Sequence, residues 1–190
     1  FTIGDMGAGQ FDNINRTNNA QNVNVYEGKV LRLNTETIGG SWIPTDNPFG
    51  NAVYTLGHRN AQGLAWGYVG GNTMLFSSEQ QDRSDDEINV IEAGRNYGWD
   101  KVTGFCEGNV NGFKIGQTAN PNEQTFCSAT PTYKNPIAVE FTETAANMGA
   151  LYAQSDNNLW PTIASSCIDF YGYTKIPDWT GSVLISSLKQ

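Results

Sequence analysis

The densest group of chemically capable side chains lies in the acidic run SSEQQDRSDDEINVIEAGRNYGW at 77–99. Five carboxylates fall within nine positions: Glu79, Asp82, Asp85, Asp86 and Glu87. Calcium takes several oxygen ligands from carboxylates, side-chain amides and backbone carbonyls, and a loop of this composition supplies all three. The alternating D-x-D-x-D-G ladder of an EF-hand is missing. The run therefore indicates either an irregular calcium loop or a solvated acidic turn, because charge runs commonly lie on solvated faces.

The segment GHRNAQG at 57–63 contains His58, the only histidine of the chain. In a structural interpretation, His58 hydrogen-bonds a backbone group and Arg59 makes a salt bridge. In a functional one, Arg59 offers its planar guanidinium to a carboxylate-bearing ligand, and Asn60 adds an amide contact. The sequence has no G-x-S-x-G elbow and no nucleophile near His58, which argues against serine-hydrolase and thiol-protease chemistry.

The Gly-rich segment TIGDMGAGQ at 2–10 carries Asp5 and Gln10 after the end of a predicted strand. It is not a phosphate-binding loop, because no Lys-Ser/Thr pair and no predicted helix follow. Its glycines indicate a tight turn, or a backbone that approaches a ligand closely. Trp160, in the aromatic-rich tail, is either a core residue or a platform for a flat ligand.

Composition restricts the partners that we expect. The formal net charge is -8, from 11 basic and 19 acidic residues, and no basic patch is present to attract a phosphate backbone. Hydrophobic residues make up 38% of the chain and never approach the roughly 18 consecutive apolar residues of a membrane helix. We expect neither a nucleic-acid partner nor a membrane span.

The cysteines lack the paired close spacing of a zinc site. Cys106 and Cys127 bracket a polar loop, which favours a disulfide between them and leaves Cys167 free or paired outside this chain. The triplet NRT at 15–17 is a glycosylation sequon, which is used only in a eukaryotic secretory context. These features favour an exported protein, either secreted or periplasmic.

The elements that position these loops are predicted to be short strands, because apolar runs bounded by Gly, Asn, Asp and Pro recur along the chain. The predicted strands are 29–33, 53–56, 63–66, 73–78, 87–91, 137–141, 168–171 and 182–187. Long polar connections are expected at 12–24 and 104–130. This all-β pattern suits a sandwich, a barrel or a propeller. The length suits one domain, 1–190. The final segment GSVLISSLKQ reads as an uncapped strand, so we expect the chain to be part of a larger fold.

Seven segments, in this order, resemble the soluble quinoprotein glucose and aldose sugar dehydrogenases, which use pyrroloquinoline quinone (PQQ) and calcium. They are TIGDMGAGQ, GKVLRLN leading to IPTDNPF, VYTLGHRNAQGLAW, SSEQQDRSDDEIN, GRNYGW, LWPTIASS and PDWTGSVLISSLK. Each segment alone is weak evidence for the resemblance, whereas the colinear series is specific for this family. It covers almost the whole chain apart from the insert after Phe11 and the region 104–158.

The resemblance implies a six-bladed β-propeller with the cofactor in a cleft between loops. This chain would supply a partial set of middle and later blades, and the remainder of the propeller would be its partner. The implied reaction oxidises an aldose sugar to its lactone by hydride transfer to the quinone. An external electron acceptor would then reoxidise the cofactor.

The resemblance also assigns roles to individual residues. Asp5 matches the carboxylate that orients the catalytic histidine. Calcium is implied to bind backbone oxygens of Gln81 and Asp82 and the side chain of Glu87, and to polarise the quinone as a Lewis acid. The implied cofactor contacts are Gln10, Arg59, Asn60, Gln80, Trp160, Thr162 and Lys189, the last to neutralise charge on the reduced quinone.

Two departures from the family pattern bear on activity. Gln81-Asp82 stands where the family commonly has Gly-Pro, which keeps the carbonyls but adds a charge. The family's general base is a histidine upstream of TIGD, and His58 does not match it. This chain therefore lacks the expected catalytic histidine, and proton abstraction needs a base within hydrogen-bond reach.

Two other functions fit the same sequence. One is a non-catalytic extracellular propeller that serves as a carbohydrate- or protein-binding module. The other is a calcium-stabilised structural domain without a ligand. Retention of Arg59, Asn60, Gln80, Glu87 and Lys189 together argues against the binding module, which has no reason to keep a quinone pocket.

Overall fold

A computed structural model of the chain describes residues 1–108 and 123–189. Nine strands in these residues form three antiparallel sheets. The first sheet contains β1 (Thr2–Ile3), β2 (Lys29–Leu31) and β3 (Val53–Leu56). The second contains β4 (Ala61–Val69), β5 (Asn72–Glu79), β6 (Asp86–Val90) and β7 (Ala138–Glu140). The third contains β8 (Ser165–Tyr171) and β9 (Ser182–Ser187).

The second sheet packs between the other two, because alternate residues of its strands point to opposite faces. On one face, Leu64 and Leu75 pack against a cluster that contains Val30 of the first sheet. On the other face, Phe76 packs with Ile168 of the third sheet. The apolar cores therefore lie between successive sheets. Among the described residues no sheet closes on itself.

Glycines set two of the connections between strands. Gly70 and Gly71 join β4 to β5 with φ of 57° and 86°, which is the pattern of a tight two-residue hairpin turn. Gly57 follows β3 with φ of 80°, and a Cβ there would lie 2.3 Å from Asn96 Oδ1. Both the positive φ and this close approach exclude a side chain at position 57. Glycine therefore allows the turn that leads from β3 to His58 and Arg59.

Six of the eight predicted strands are found with shifted ends, whereas those predicted at 53–56 and 182–187 are found with the same ends. The strand predicted at 29–33 ends at Leu31, where its pairing with β3 shifts register. The strand predicted at 63–66 extends over Ala61–Val69 because its hairpin with β5 is longer than its apolar run. Residues 109–122 of the long connection predicted at 104–130 lie outside the described residues. The predicted disulfide between Cys106 and Cys127 is confirmed, with an S–S distance of 2.00 Å.

Among the described residues, two α-helices interrupt the β structure that the sequence predicted. They are α1 (Glu123–Ala129) and α2 (Ala145–Ala153). Thr144 caps α2, because its side chain accepts a hydrogen bond from the Asn147 N–H (3.3 Å). Within the described ranges, neither these nor any other helix has the length and apolar character needed to cross a membrane.

Candidate functional site

Three loop segments meet at one end of the first two sheets. They are 4–10 after β1, 57–60 between β3 and β4, and 80–85 between β5 and β6. Backbone hydrogen bonds join them: the Asp5 N–H donates to the Arg59 carbonyl (2.7 Å), and the Gln80 N–H donates to the Asn60 carbonyl (3.1 Å). Segments far apart in the sequence therefore contribute side chains to one place.

Arg59 points into this meeting point with a side chain that is 11% exposed. Its Nη2 donates to Gln10 Oε1 (2.8 Å) and its Nη1 to the Gln80 carbonyl (3.0 Å). Asn60 Nδ2 donates to Gln80 Oε1 (3.3 Å), and the Arg59 guanidinium lies 6.0 Å from the centre of a Trp99 ring. Arg59 Nε is buried without a hydrogen-bond partner in the described structure. A held guanidinium with a spare donor suits a carboxylate ligand.

His58 and Glu79 form a buried pair that holds the backbone of Arg59. Glu79 Oε2 lies 2.8 Å from His58 Nδ1, and Glu79 Oε1 accepts the Arg59 N–H at 2.5 Å. His58 Nε2 lies 2.8 Å from Thr55 Oγ1, and the imidazole stacks on Tyr97 with a centroid separation of 4.7 Å. His58 thus has the environment of a structural residue. Its partners are side chains, whereas the sequence led us to expect a backbone group.

Asp5 is buried at the edge of the same group. Its Oδ2 accepts the Trp99 indole N–H (2.7 Å) and an Asn18 amide N–H (3.3 Å), and its Oδ1 accepts the Gly7 N–H (2.9 Å). Burial raises the pKa of Asp5 above its ordinary value, while the charge of Arg59 opposes that shift. These donors fix the orientation of a carboxylate that the sequence assigned to positioning a catalytic base.

The acidic run is buried, so the solvated-turn interpretation is wrong. The following carboxylates are at most 5% exposed: Glu79, Asp82, Asp85, Asp86 and Glu87. Buried carboxylates require compensating donors. Asp86, for example, accepts the Gln81 N–H (2.8 Å) and the Ile163 N–H (2.9 Å). The run therefore ties the β5–β6 connection to the segment that precedes β8.

Glu87 and its neighbours are the oxygen-rich part of this run. Glu87 accepts the Gly104 N–H (2.8 Å) and an Asn89 amide N–H (2.9 Å). Burial and the neighbouring carboxylate of Glu79 raise its pKa well above the ordinary value. Gln81 Oε1 and Asn89 Oδ1 are buried without hydrogen-bond partners in the described structure. Buried amide and carboxylate oxygens of this kind fit a hard cation such as calcium.

Carboxylate side chains alone do not form a metal site here. In the described part of the chain, no group of three or more His, Cys, Asp or Glu side chains is arranged to hold a metal ion. A calcium ion here would depend on amide and backbone oxygens as well as on Glu87, which is a common ligand set for this ion.

The three predicted contacts from the C-terminal part lie beside the same loops. The Lys189 N–H donates to the Ile163 carbonyl (3.1 Å), and the Lys189 ammonium donates to the Trp160 carbonyl. The Thr162 N–H also donates to the Trp160 carbonyl (2.9 Å). The guanidinium of Arg83 lies over the Trp160 ring, 4.5 Å from its centre. The structure thus brings these residues to the loop cluster, and the Trp160 ring faces an arginine there.

Three residues of the cluster were not singled out from the sequence. Glu79 was counted only as one acid of the run, although its pairing with His58 spans 21 positions. Trp99 ends the segment GRNYGW, and its contact with Asp5 spans 94 positions. No sequence motif pointed to Arg83, because its place in the cluster depends on its contact with the ring of Trp160, which is distant in the sequence.

The whole chain, residues 1–190, matches the sequence model of the Glucose / Sorbosone dehydrogenase family. It is 34% identical to the quinoprotein glucose dehydrogenase B of Acinetobacter calcoaceticus, in an alignment that covers all of this chain and 46% of that protein. It is 29% identical to the aldose sugar dehydrogenase YliI of Escherichia coli K12, covering 92% of this chain and 40% of that one. The chain thus spans less than half the length of these relatives.

Solved structures agree with the sequence relatives. The soluble aldose sugar dehydrogenase of Escherichia coli in its apo form superimposes with a TM-score of 0.63 at 27% identity, over 100% of this chain and 44% of that one. The PQQ-bound aldose sugar dehydrogenase of Streptomyces coelicolor superimposes with a TM-score of 0.53 at 28% identity, over 90% of this chain and 35% of that one. The chain belongs to the glucose/sorbosone dehydrogenase family.

Proposed function

We infer that this chain is a part of a PQQ- and calcium-dependent sugar dehydrogenase, built as a portion of a six-bladed propeller. The observation that carries the proposal is the position of Arg59, whose guanidinium is held by Gln10 and Gln80 at the point where three loops meet. Family membership and the relatives named quinoprotein and PQQ-bound support the choice of cofactor.

The residues of this chain would act mainly by binding and orienting. Arg59 would bind a carboxylate of the quinone, and the amides of Asn60 and Gln80 would contact its polar edge. Lys189 would place a positive charge beside the reduced quinone. The fixed Arg59 backbone costs little reorganisation on binding, which is the advantage of a preorganised site.

Calcium would be bound by backbone oxygens of Gln81 and Asp82 and by the Glu87 side chain, beside the unpartnered amide oxygen of Gln81. When bound, PQQ and calcium together supply a polarised two-electron acceptor. The overall reaction would remove a hydride from the anomeric carbon of an aldose and a proton from its hydroxyl, giving a lactone. Asp5 would orient the base that takes the proton, and we assign no residue of this chain as that base.

We also propose that the protein works outside the cytoplasm, secreted or periplasmic, and passes electrons to an external acceptor. The disulfide between Cys106 and Cys127 supports this location, because such bonds persist in oxidising compartments.

The test uses the full-length protein that contains this chain, supplied with PQQ and calcium. We expect a change in the quinone absorption spectrum and reduction of an acceptor dye with one or more of a panel of aldoses. Arg59→Ala should weaken PQQ binding by about 10- to 100-fold, the loss expected for hydrogen bonds to a charged group. Arg32→Ala is the matched control, since Arg32 pairs with the exposed Asp46 on the surface. Absence of both spectral change and turnover would refute the proposal and favour a binding module.

A further inference from the structure

The carboxylate of Asp82 lies among three donors at the candidate site. Its Oδ1 accepts an amide N–H of Gln10 (2.7 Å), and its Oδ2 accepts a guanidinium N–H of Arg83 (3.0 Å). Oδ1 also lies 4.0 Å from Arg59 Nη2. The Asp82 side chain is 3% exposed. An anion is therefore already held where the site's donors converge.

Arg83 gives the site a second guanidinium. Its side chain is 7% exposed, and it lies over the Trp160 ring at 4.5 Å from the centre. A stacked and ion-paired guanidinium keeps one orientation, because its rotamers are restricted on both sides. Arg83 and Arg59 thus approach the Asp82 carboxylate from two sides as fixed groups.

We propose that Gln10, Arg59 and Arg83 form a carboxylate-binding site whose internal occupant is the side chain of Asp82. An acidic ligand such as PQQ takes the donors from Asp82 when it binds, and Arg83 becomes a direct contact of one of its carboxylates. Asp82 then sets the affinity of the site by competition. This inference rests on the proposed function for the identity of the ligand.

The chemistry of the donors indicates that Asp82 competes with a ligand carboxylate for them and does not merely hold them in place. A guanidinium and an amide N–H bind a ligand carboxylate by the same charge-assisted hydrogen bonds that they give Asp82. A ligand that binds only after an internal contact opens has its affinity reduced by the fraction of molecules that are open. Asp82 also repels a second anion that comes within a few ångströms. Both effects lower anion affinity. An amide of the same shape removes the repulsion and weakens the competition, because its single neutral oxygen is a poorer acceptor than a carboxylate.

The test compares Asp82→Asn with the unchanged full-length protein in titrations monitored by calorimetry. Two probes are used, PQQ and benzene-1,2,4-tricarboxylate, which has carboxylates but no quinone. Each titration is done with calcium in excess and again with calcium removed by a chelator. We expect Asp82→Asn to bind both probes more tightly by about tenfold or more, as relief of an internal competitor predicts. Arg83→Gln should weaken both by about tenfold.

Glu36→Gln is the matched control, because it removes one negative charge from an exposed position. It should leave both affinities within about twofold, since exposed charges are screened by solvent. Unchanged affinity in Asp82→Asn would overturn the inference and leave Asp82 as a backbone ligand only. Weaker binding of PQQ by Asp82→Asn in the titration with calcium alone would also overturn it, because the Asp82 side chain would then help to bind calcium rather than compete with the ligand.

The two probes separate this inference from the proposed function. If neither protein binds PQQ but Asp82→Asn binds the tricarboxylate more tightly, the carboxylate site stands and the PQQ assignment fails. If both proteins bind PQQ with the same affinity, the PQQ assignment stands and the internal competitor is refuted.

Discussion

His58 Nδ1 lies 2.8 Å from Glu79 Oε2, and neither side chain is exposed to solvent. The other oxygen of Glu79 accepts the N–H of Arg59. The only histidine of the chain therefore fixes a carboxylate, and that carboxylate fixes the residue proposed to bind the cofactor. His58 itself is separated from solvent, so it acts on the site through Glu79.

His58→Gln should lower stability more than it lowers ligand binding. Removing the imidazole leaves buried polar atoms of Glu79 and Thr55 without their partner, which costs about 1–3 kcal/mol, and urea unfolding measures this loss. The affinity of the folded protein for PQQ should change by less than about threefold, because Glu79 still accepts the Arg59 N–H. Thr55→Val, which removes the other side-chain hydrogen bond of His58, should cost about 1 kcal/mol. Lost binding with unchanged stability would make His58 a functional residue.

Arg59→Lys should weaken PQQ binding although the charge is kept. Lysine cannot reproduce the two divergent contacts of the guanidinium to Gln10 and the Gln80 carbonyl, and each charged hydrogen bond contributes about 1.5–3 kcal/mol. We expect about a tenfold or greater rise in Kd, measured by calorimetry. Arg32→Lys changes an exposed arginine in the same way and should have no effect. Equal affinity in Arg59→Lys would show that only the charge matters.

Much of the sheet structure follows from the sequence. Strands such as β3 and β9 appear as short apolar runs with the same bounds that the pattern predicts. The Gly70-Gly71 turn is also readable, because two glycines between such runs favour a tight hairpin. Helix α2 (AANMGALYA) was missed because its small residues give no clear alternation of apolar and polar faces at helical spacing.

Only part of the candidate site can be predicted from the sequence. Arg59 and Asn60 stand out through their types and their neighbours, and contacts such as Asn60 with Gln80 join short motifs. The Trp99 indole and Asp5 are brought together only by the stacking of sheets, since 94 positions separate them. Burial of the acidic run also could not be predicted from the sequence, because the fold alone determines which donors surround each carboxylate.

The buried Lys29 should make the free energy of unfolding depend on pH in the alkaline range. Burial lowers the pKa of Lys29 to about 8, and its ammonium donates to the carbonyls of Asn19, Ala20 and Glu27. The folded state therefore releases this proton before the unfolded state does. As pH rises from about 8 towards the ordinary lysine pKa of about 10.4, the unfolded chain holds more protons, so this group's contribution to stability increases with pH.

The measurement is the difference in unfolding free energy between the unchanged protein and Lys29→Met, taken at pH 7 and at pH 9.5. The difference isolates Lys29 from the other groups that titrate in this range. We expect it to shift by about 1–2 kcal/mol in favour of the unchanged protein at the higher pH. A difference that stays constant, or that shifts towards Lys29→Met, contradicts the lowered pKa.

Reduction of the disulfide should destabilise the protein. Cys106 and Cys127 are 21 positions apart, and closing a loop of this length contributes about 3 kcal/mol by restricting the unfolded chain. The double change to alanine, compared with the unchanged protein in urea unfolding, measures the effect. Cys167→Ala is the control, since Cys167 is exposed and outside the disulfide. Equal stability of the double variant and the control would show that the bond contributes nothing.

Calcium should stabilise the protein through Glu87. A ligand that binds only the folded state adds stability in proportion to the logarithm of its concentration over Kd, about 2.7 kcal/mol at 100 times Kd. A chelator should therefore lower Tm, and Glu87→Gln should abolish that difference. Glu123→Gln is the matched control, because Glu123 is equally buried and accepts the N–H groups of Thr103 and Gly108. It should lower Tm with and without calcium while keeping the calcium-dependent shift. A shift that survives in Glu87→Gln would place calcium on other oxygens of the chain.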